Sequence, residues 1–202
     1  MINFDFKNYH ENFVNLISHK KKHETKADNK NILFLIHPFY RQIENGCLEN
    51  KDFKKYFENL EILEKNRRDL SIILYESPPH YTKSTYLLAE EGFFDKIIFT
   101  KLDSGDPHSV WDLNCLNGKN IYLGGMYNGL CVSGALTNIL NYSKPSKIIP
   151  LKELVLNSTQ ISKTRCKNSF FPEYVYYRDS KLPVSRQIKT SSFEEFKETF
   201  FK

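Results

Sequence analysis

Paired cysteines are the first feature that this sequence lacks. Its four cysteines, Cys47, Cys115, Cys131 and Cys166, lie far apart, and no two of them form a C-x-x-C pair. Zinc knuckles and thioredoxin-type sites are built on such pairs, so the spacing argues against both kinds of site. Reduced thiols in a cytosol are the simplest explanation of cysteines placed in this way. We therefore expect a cytoplasmic protein.

Long apolar runs and clustered basic charge are missing as well. No stretch approaches the ~20 apolar residues of a membrane span, and the first residues lack the basic region and apolar core of an export leader. The chain has 29 lysines and arginines against 24 acidic residues, a net charge of +5. These charges form no basic stripe of the kind that nucleic-acid recognition uses. We predict neither a membrane nor a nucleic acid as a partner.

Glycine-rich phosphate-binding patterns are a third absence. Neither G-x-x-x-x-G-K-[ST] nor G-x-G-x-x-G occurs among the eight glycines. Both patterns cradle phosphate groups with backbone N–H groups, so nucleotide binding has no support in the sequence. We predict no cofactor and a small molecule as the ligand.

The composition that remains is that of a globular protein rich in aromatic residues. Hydrophobic residues make up 40% of the 202 residues and aromatic residues 14%, which is enough for one domain with a sizeable core. Residues 1–30 predict one helix, at about 9–21, and a charged connector. The lysine cluster at residues 20–22 is either a patch that binds anions or a membrane surface, or part of a solvated linker. Residues 31–202 predict a single α/β domain.

Apolar runs and helical periodicity alternate along that domain. A parallel sheet with right-handed crossovers explains such alternation, and it gives a three-layer α/β/α sandwich with a mostly parallel, Rossmann-like sheet. The predicted strands lie at residues 32–36, 70–75, 96–101, 121–123 and 148–149, and the predicted helices lie at about 52–66, 84–91, 111–116, 131–140 and 192–200.

Cys131 stands where a strand passes into a helix. The run before it closes at Gly124 and Gly125, and apolar residues after it recur at one-face helical spacing, so the cysteine falls in the first helical turn. Unpaired N–H groups and the positive end of the helix dipole favour a thiolate there. The alternative is an inert side chain that fills the seam between helix and sheet.

Three strand ends carry His37, Lys101 and Cys131, and their order resembles that of the isochorismatase-like cysteine hydrolases, which include the nicotinamidases. That family has an acid after the first strand, a lysine after a later strand, and a Gly-x-x-x-x-x-Cys-Val turn, which matches Gly125 to Val132 here. The resemblance covers residues 31–201. It implies hydrolysis of a C–N bond in a small-molecule amide through a Cys131 thioester, with Lys101 as a nearby positive charge that activates the thiol.

The first strand end departs from the family pattern. The family has Asp-x-Gln there, whereas this chain has His37-Pro38-Phe39. One interpretation keeps catalysis: His37 takes the proton of Cys131 and forms a cysteine-histidine pair. The other is that loss of the carboxylate leaves a binding or interaction protein on the same fold. A third, thiol redox chemistry, would need a second cysteine near Cys131.

Four further residues are predicted to line the substrate site: Tyr127, Leu130, His108 and Glu76. The backbone of Leu130 and Cys131 is a predicted source of oxyanion donors, whereas His108 lies in a loop that ordinary turn chemistry also explains. Glu76 and His80 stand near the position of a metal site in the nicotinamidases, but their spacing differs. We therefore predict no metal.

The aromatic stretch at residues 160–185 lacks helical periodicity. Exposed aromatic residues concentrate at interfaces, so this stretch is a predicted contact between copies of the chain in a homo-oligomer, or a lid over the site. The alternative is an edge strand packed on the core.

Overall fold

The computed structural model of the chain describes residues 29–39, 51–66, 69–77, 83–101, 106–128, 131–157, 174–177, 180–183 and 190–201. The predicted helix at about residues 9–21 and the lysine cluster at 20–22 lie outside these ranges.

Five parallel strands form the central sheet. They are β1 (Asn31–Ile36), β2 (Leu70–Glu76), β3 (Lys96–Phe99), β4 (Asn120–Asn128) and β5 (Lys147–Asn157), in the order β3-β2-β1-β4-β5. β1 and β2 are continuous apolar runs that are buried along almost their whole length. Such runs are typical of strands covered on both faces.

Helices cover both faces of this sheet. They are α1 (Lys51–Asn66), α2 (Lys83–Glu90), a 3₁₀ helix (Val110–Leu116), α3 (Cys131–Tyr142) and α4 (Phe193–Phe200). Side chains of α1, α2 and α4 share one core with one face of the sheet, and side chains of α3 and the 3₁₀ helix share a second core with the other face. The predicted three-layer α/β/α sandwich is confirmed. No helix in the described part of the chain is long and apolar enough to cross a membrane.

The strand period divides β1 between the two cores. Leu33 and Leu35 face the α1 side, and Phe34 and Ile36 face the α3 side. All four side chains are fully buried. A strand with both faces buried has little freedom to slip in register, so the position of its last residue, and of His37 after it, is well fixed.

Two strands run further than the sequence predicts. We expected β4 to close at Gly124 and Gly125, but it continues to Asn128, because its pairing with β5 resumes after a register shift at Gly125. β5 likewise runs through Pro150 and includes Glu153, which we expected to follow the strand.

The two glycines allow close approach of strands rather than ending one. Gly125 has φ +119°, and a Cβ atom there would overlap the carbonyl oxygen of Ile36 in β1. A Cβ atom at Gly124 would come within 2.9 Å of the Leu35 side chain and 3.1 Å of the Leu154 carbonyl oxygen. Glycine therefore lets β4 pack tightly against both of its neighbours at this point.

The aromatic stretch contributes a separate two-stranded antiparallel sheet. Its strands are β6 (Tyr174–Tyr177) and β7 (Ser180–Pro183), and β6 runs beside α3. For these described residues the prediction of an edge strand is wrong, because the pair hydrogen-bonds to itself and does not extend the five-stranded sheet. The use of this stretch as a lid or as a contact between copies stays a prediction.

Candidate active site

The carboxyl ends of β1 and β4 lie side by side at the point where the order of the strands reverses. The chain passes from β1 to β2 and β3 on one side, and later from β4 to β5 on the other. In open α/β sheets, ligands bind beyond the carboxyl ends of the strands at such a switch point. His37 follows β1 directly, and Cys131 begins the helix that follows β4. The topology therefore brings these two predicted residues to one place.

The backbone of His37 is held in an uncommon conformation. Its φ is +43°, in the left-handed region that residues other than glycine rarely adopt. The N–H group of His37 donates to the Tyr75 carbonyl at 3.0 Å, and the next carbonyl, that of Pro38, accepts from the Tyr56 hydroxyl at 2.9 Å. A strained backbone of this kind persists only where surrounding contacts fix it, and it is frequent at functional sites.

The imidazole of His37 lies against a buried carboxylate. Nδ1 of His37 is 2.5 Å from Oε1 of Glu76, and both side chains are at most 2% exposed. The same oxygen accepts the N–H group of Ser77 at 3.0 Å. Because a carboxylate can only accept a hydrogen bond, Nδ1 is the donor and carries a proton. The strand register explains the pairing: Ile36 lies opposite Tyr75, so His37 and Glu76 are the next neighbours.

Cys131 lies close to the same ring. It is the first residue of α3, it is partly buried, and it is near enough to His37 to raise the pKa of the imidazole. Since Nδ1 of the ring faces Glu76, Nε2 is the nitrogen available to the thiol. Three side chains from three elements therefore form a series, from Cys131 through His37 to Glu76. A nucleophile, a base and a third group that orients the base are the usual parts of nucleophilic catalysis.

The charge state of His37 follows from these neighbours. Burial by itself lowers the pKa of a histidine, but the charge of Glu76, its hydrogen bond and the neighbouring Cys131 outweigh burial and raise the pKa of His37 to about 10. These neighbours favour the imidazolium form of the ring at neutral pH. It can stabilise a thiolate on one side while it remains paired with a carboxylate on the other.

Tyr75 is a neighbour that the sequence did not suggest. It is fully buried at the end of β2, with its ring 5.0 Å from that of Phe34. Burial raises its pKa, and the negative charges of Asp106, Cys131 and Asp112 raise it further. The hydroxyl therefore keeps its proton at any physiological pH. Cys131 is one of the groups near enough to raise its pKa. Its only signal in the sequence is its place at a strand end beside Glu76.

Lys101 lies apart from this series. It follows β3, the edge strand, which is two strand spacings, roughly 10 Å, from β1. Its side chain is exposed, and its backbone N–H donates to the Asp106 carbonyl at 2.9 Å. The structure thus brings two of the three predicted catalytic residues together, while the third, Lys101, is an exposed residue after the edge strand.

The four residues predicted to contact the substrate differ in where the structure places them. Glu76 lies at the centre of the site, but its carboxylate meets His37 rather than an open surface. His108 is exposed, and its backbone N–H bonds to the Phe99 carbonyl at 2.8 Å. Tyr127 lies in β4, and nothing is described of its side chain. Leu130, like His80, is outside the described residues.

Cys115 lies near the amino end of β3, whereas Cys131 follows the carboxyl end of β4. Cys115 lies in the 3₁₀ helix close to Lys96, the first residue of β3, and burial raises its pKa. Its thiol donates to the Asp112 carbonyl at 3.2 Å. Cys115 and Cys131 are both free thiols, so no disulfide joins them. Cys47 and Cys166 lie outside the described residues.

Several buried polar atoms at this edge have no hydrogen-bond partner within the described ranges. They are Oε2 of Glu76, Oγ of Ser77 and Oγ1 of Thr100, at the ends of β2 and β3. Across all of the described residues, no group of three or more His, Cys, Asp or Glu side chains could hold a metal ion.

The comparisons with known proteins agree with the architecture. No protein-family model matches the chain, and neither does any curated protein. Among solved structures, the chain is similar to an isochorismatase-like hydrolase from Alkaliphilus metalliredigens, with a TM-score of 0.51 and 15% identity, over 84% of this chain and 98% of that one. At this identity the likeness concerns the fold, and it confirms the fold that the sequence resemblance implied. The chain has the isochorismatase-like α/β fold.

Proposed function

We propose that the protein is a cysteine hydrolase that cleaves the C–N bond of a small-molecule amide, with Cys131 as the nucleophile and His37 as the acid and base. The observation that carries the proposal is the position of His37, which lies close to Cys131 and is hydrogen-bonded to a buried carboxylate. A cysteine that merely filled a seam would need neither contact. The similar fold of a protein described as a hydrolase gives further support.

Acylation begins from the thiolate-imidazolium pair. The Cys131 sulfur attacks the amide carbonyl carbon, a C–S bond forms, and the C–N bond breaks. The leaving nitrogen takes its proton from Nε2 of His37, so the amine departs neutral. His37 is then an uncharged imidazole, and the acyl group is held as a thioester. General acid catalysis of this kind contributes about 10²- to 10⁴-fold.

Deacylation reverses the proton transfer. His37, now neutral, removes a proton from water as the water oxygen attacks the thioester carbon. The C–S bond breaks, the acid is released, and the thiolate-imidazolium pair is restored. The same nitrogen gives a proton in the first half and takes one in the second, so the cycle needs no other reactant than water.

The first turn of α3 supplies electrostatic support. Its leading N–H groups have no partner within the helix, and the positive end of the dipole lies beside Cys131. The N–H groups of Cys131 and Val132 are thus available donors for the oxyanion of each tetrahedral intermediate. Lys101 takes no part in the proton transfers, and its role as a positive charge that activates the thiol stays a prediction.

The second candidate is a binding or interaction protein on the same fold. It is favoured by the histidine that replaces the family's aspartate and by the exposure of Lys101. This candidate requires no reactivity of Cys131, so the state of that thiol separates the two functions.

The test is the rate of iodoacetamide labelling at Cys131 between pH 5.5 and 9.5, followed by peptide mass spectrometry. We expect fast labelling down to about pH 6, where a free thiol, with a pKa near 8.5, is almost fully protonated. In His37→Ala, Cys131 should be labelled only at the rate of a free thiol. The labelling rate in Lys101→Ala tests the predicted activator.

Cys115 in the same sample is an internal control, because burial raises its pKa. Its labelling should be slow at neutral pH in every variant. If Cys131 is unreactive, or labels as a free thiol whatever residue stands at position 37, the hydrolase proposal is wrong and the binding protein is favoured.

A further inference from the structure

We infer that Glu76 is the positioning residue of this site: its carboxylate holds the imidazole of His37 with a proton on Nδ1 and with Nε2 turned to Cys131. The inference rests on the proposed function and adds to it a residue that acts through His37 rather than on the substrate. The sequence suggested a different role, that of a substrate contact.

The geometry of the carboxylate argues for this role. Oε1 of Glu76 lies 2.5 Å from Nδ1 of His37 and accepts the N–H group of Ser77 as well. Two donors that converge on one oxygen, one of them from the backbone, fix the carboxyl group relative to the end of β2. A ring bonded to a fixed oxygen through Nδ1 has its other nitrogen directed away from it, toward the start of α3.

Burial makes a direct role on the substrate less suitable. The side chain of Glu76 is 0% exposed, and its Oε1 atom is bonded to Nδ1 of His37. A substrate that reached Cys131 would therefore find no open surface of Glu76 to contact. The residue can influence the reaction through the tautomer, orientation and charge of His37, which is the role of the third group in a catalytic triad.

The charges around the ring also require Glu76. The titratable groups that act on His37, among the described residues, are Glu76 from β2 and Cys131 from α3. An imidazolium buried beside the thiol alone would lose much of its charge, because burial favours the neutral ring. With Glu76 ionised, the ring stays charged and remains a proton donor for the leaving group.

The experiment compares Glu76→Gln with wild type by two measurements. One is the protonation and tautomer of His37 between pH 5 and 10, followed by ¹⁵N NMR of labelled histidine, with the signal assigned by its loss in His37→Gln. The other is the pH profile of Cys131 alkylation. Glu153→Gln is the matched control, because the Glu153 carboxylate accepts the Phe193 N–H at 2.7 Å and lies outside this site.

In wild type we expect His37 to keep both ring protons up to about pH 10. In Glu76→Gln the titration should move toward the ordinary histidine value near 6.5, and alkylation at pH 6.5 should slow by about tenfold or more, since each unit of pKa is a factor of ten. Glu76→Asp, which keeps the charge, should restore the charged ring. Glu153→Gln should change neither measurement.

The outcomes separate the two proposals. If wild-type Cys131 is reactive and slows in His37→Ala, but Glu76→Gln titrates and labels as wild type does, the inference on Glu76 is wrong and the proposed function stands. If wild-type Cys131 is itself unreactive, the proposed function fails first. If Glu76→Gln does not fold, Glu76→Asp carries the test, and a His37 that titrates near 6.5 in it overturns the inference.

Discussion

At the scale of single residues, His37 combines a left-handed backbone with a charged ring in a buried place. Its φ of +43° and the burial of its charged ring each cost free energy unless the surroundings compensate. The backbone bond to Tyr75 and the carboxylate of Glu76 provide that compensation. A position with two such costs is poorly explained by stability alone, and this is why the chemistry is assigned to it.

The first prediction concerns the pH dependence of stability. The folded-state pKa of His37 is about 10, above the value near 6.5 expected in the unfolded chain. Between these values the folded state binds the extra proton, so its contribution to stability is complete below about pH 6.5 and is lost as the pH rises toward 10. We expect the free energy of unfolding to fall over this window by on the order of a few kcal/mol.

Urea unfolding at pH 6, 8 and 10 measures this contribution. His37→Gln is the control, because glutamine has no proton to lose in this range, so its unfolding free energy should fall less than that of wild type. A decrease of equal size in both proteins would show that the charge of His37 does not stabilise the fold.

At the scale of elements, the close approach of β1 and β4 is what brings the two halves of the site together. The hydrophobic runs and helical spacing were sufficient to predict β1, β2, α1 and the start of α3 at Cys131 to within one or two residues. The glycines were misinterpreted. The sequence predicts that a strand ends at Gly124 and Gly125, since local sequence cannot distinguish a turn glycine from one that a neighbouring strand requires.

The second prediction follows from that close approach. In Gly125→Ala the new methyl group would overlap the Ile36 carbonyl oxygen, at a φ of +119° that alanine rarely adopts. Because backbone atoms cannot move aside as a flexible side chain can, we expect a loss of roughly 3 kcal/mol or more, or failure to fold. Thermal and urea unfolding measure this loss.

Gly92→Ala is the matched control for backbone strain. Gly92 also has a positive φ, +82°, but an added Cβ atom meets nothing within 4 Å. Only the conformational cost applies there, about 1 kcal/mol. Equal losses in the two variants would mean that the contact with Ile36 is not what requires glycine at position 125.

At the scale of the whole molecule, the site depends on pairings that sequence patterns do not contain. The carboxyl edge of a parallel sheet could be predicted to hold His37 and Cys131, since both follow strands. The partner of His37 could not, because Glu76 is distant in sequence and the contact depends on the exact register of β1 on β2. For the same reason the sequence could not show that the strand carrying Lys101 is at the edge of the sheet, away from β1.

The third prediction tests whether His37 and Glu76 behave as one buried unit. His37→Gln leaves a buried carboxylate with the Ser77 N–H as its remaining contact in the described part of the chain, and we expect it to cost about 3–5 kcal/mol. Glu76→Gln should cost less, because a histidine without its carboxylate can become neutral. The double variant removes both charges and should lose clearly less than the sum of the single losses, as coupled neighbours do.

Urea unfolding at pH 7 of wild type, both single variants and the double variant completes this cycle. A second cycle between His37→Gln and Glu153→Gln is the control, since the Glu153 carboxylate accepts the Phe193 N–H group at the start of α4. The losses of unfolding free energy in those two single variants should add within about 0.5 kcal/mol in their double variant. If the His37 and Glu76 losses are additive to the same degree, the two side chains are independent in the folded molecule, and a shared role in fixing the proton beside Cys131 loses its physical basis.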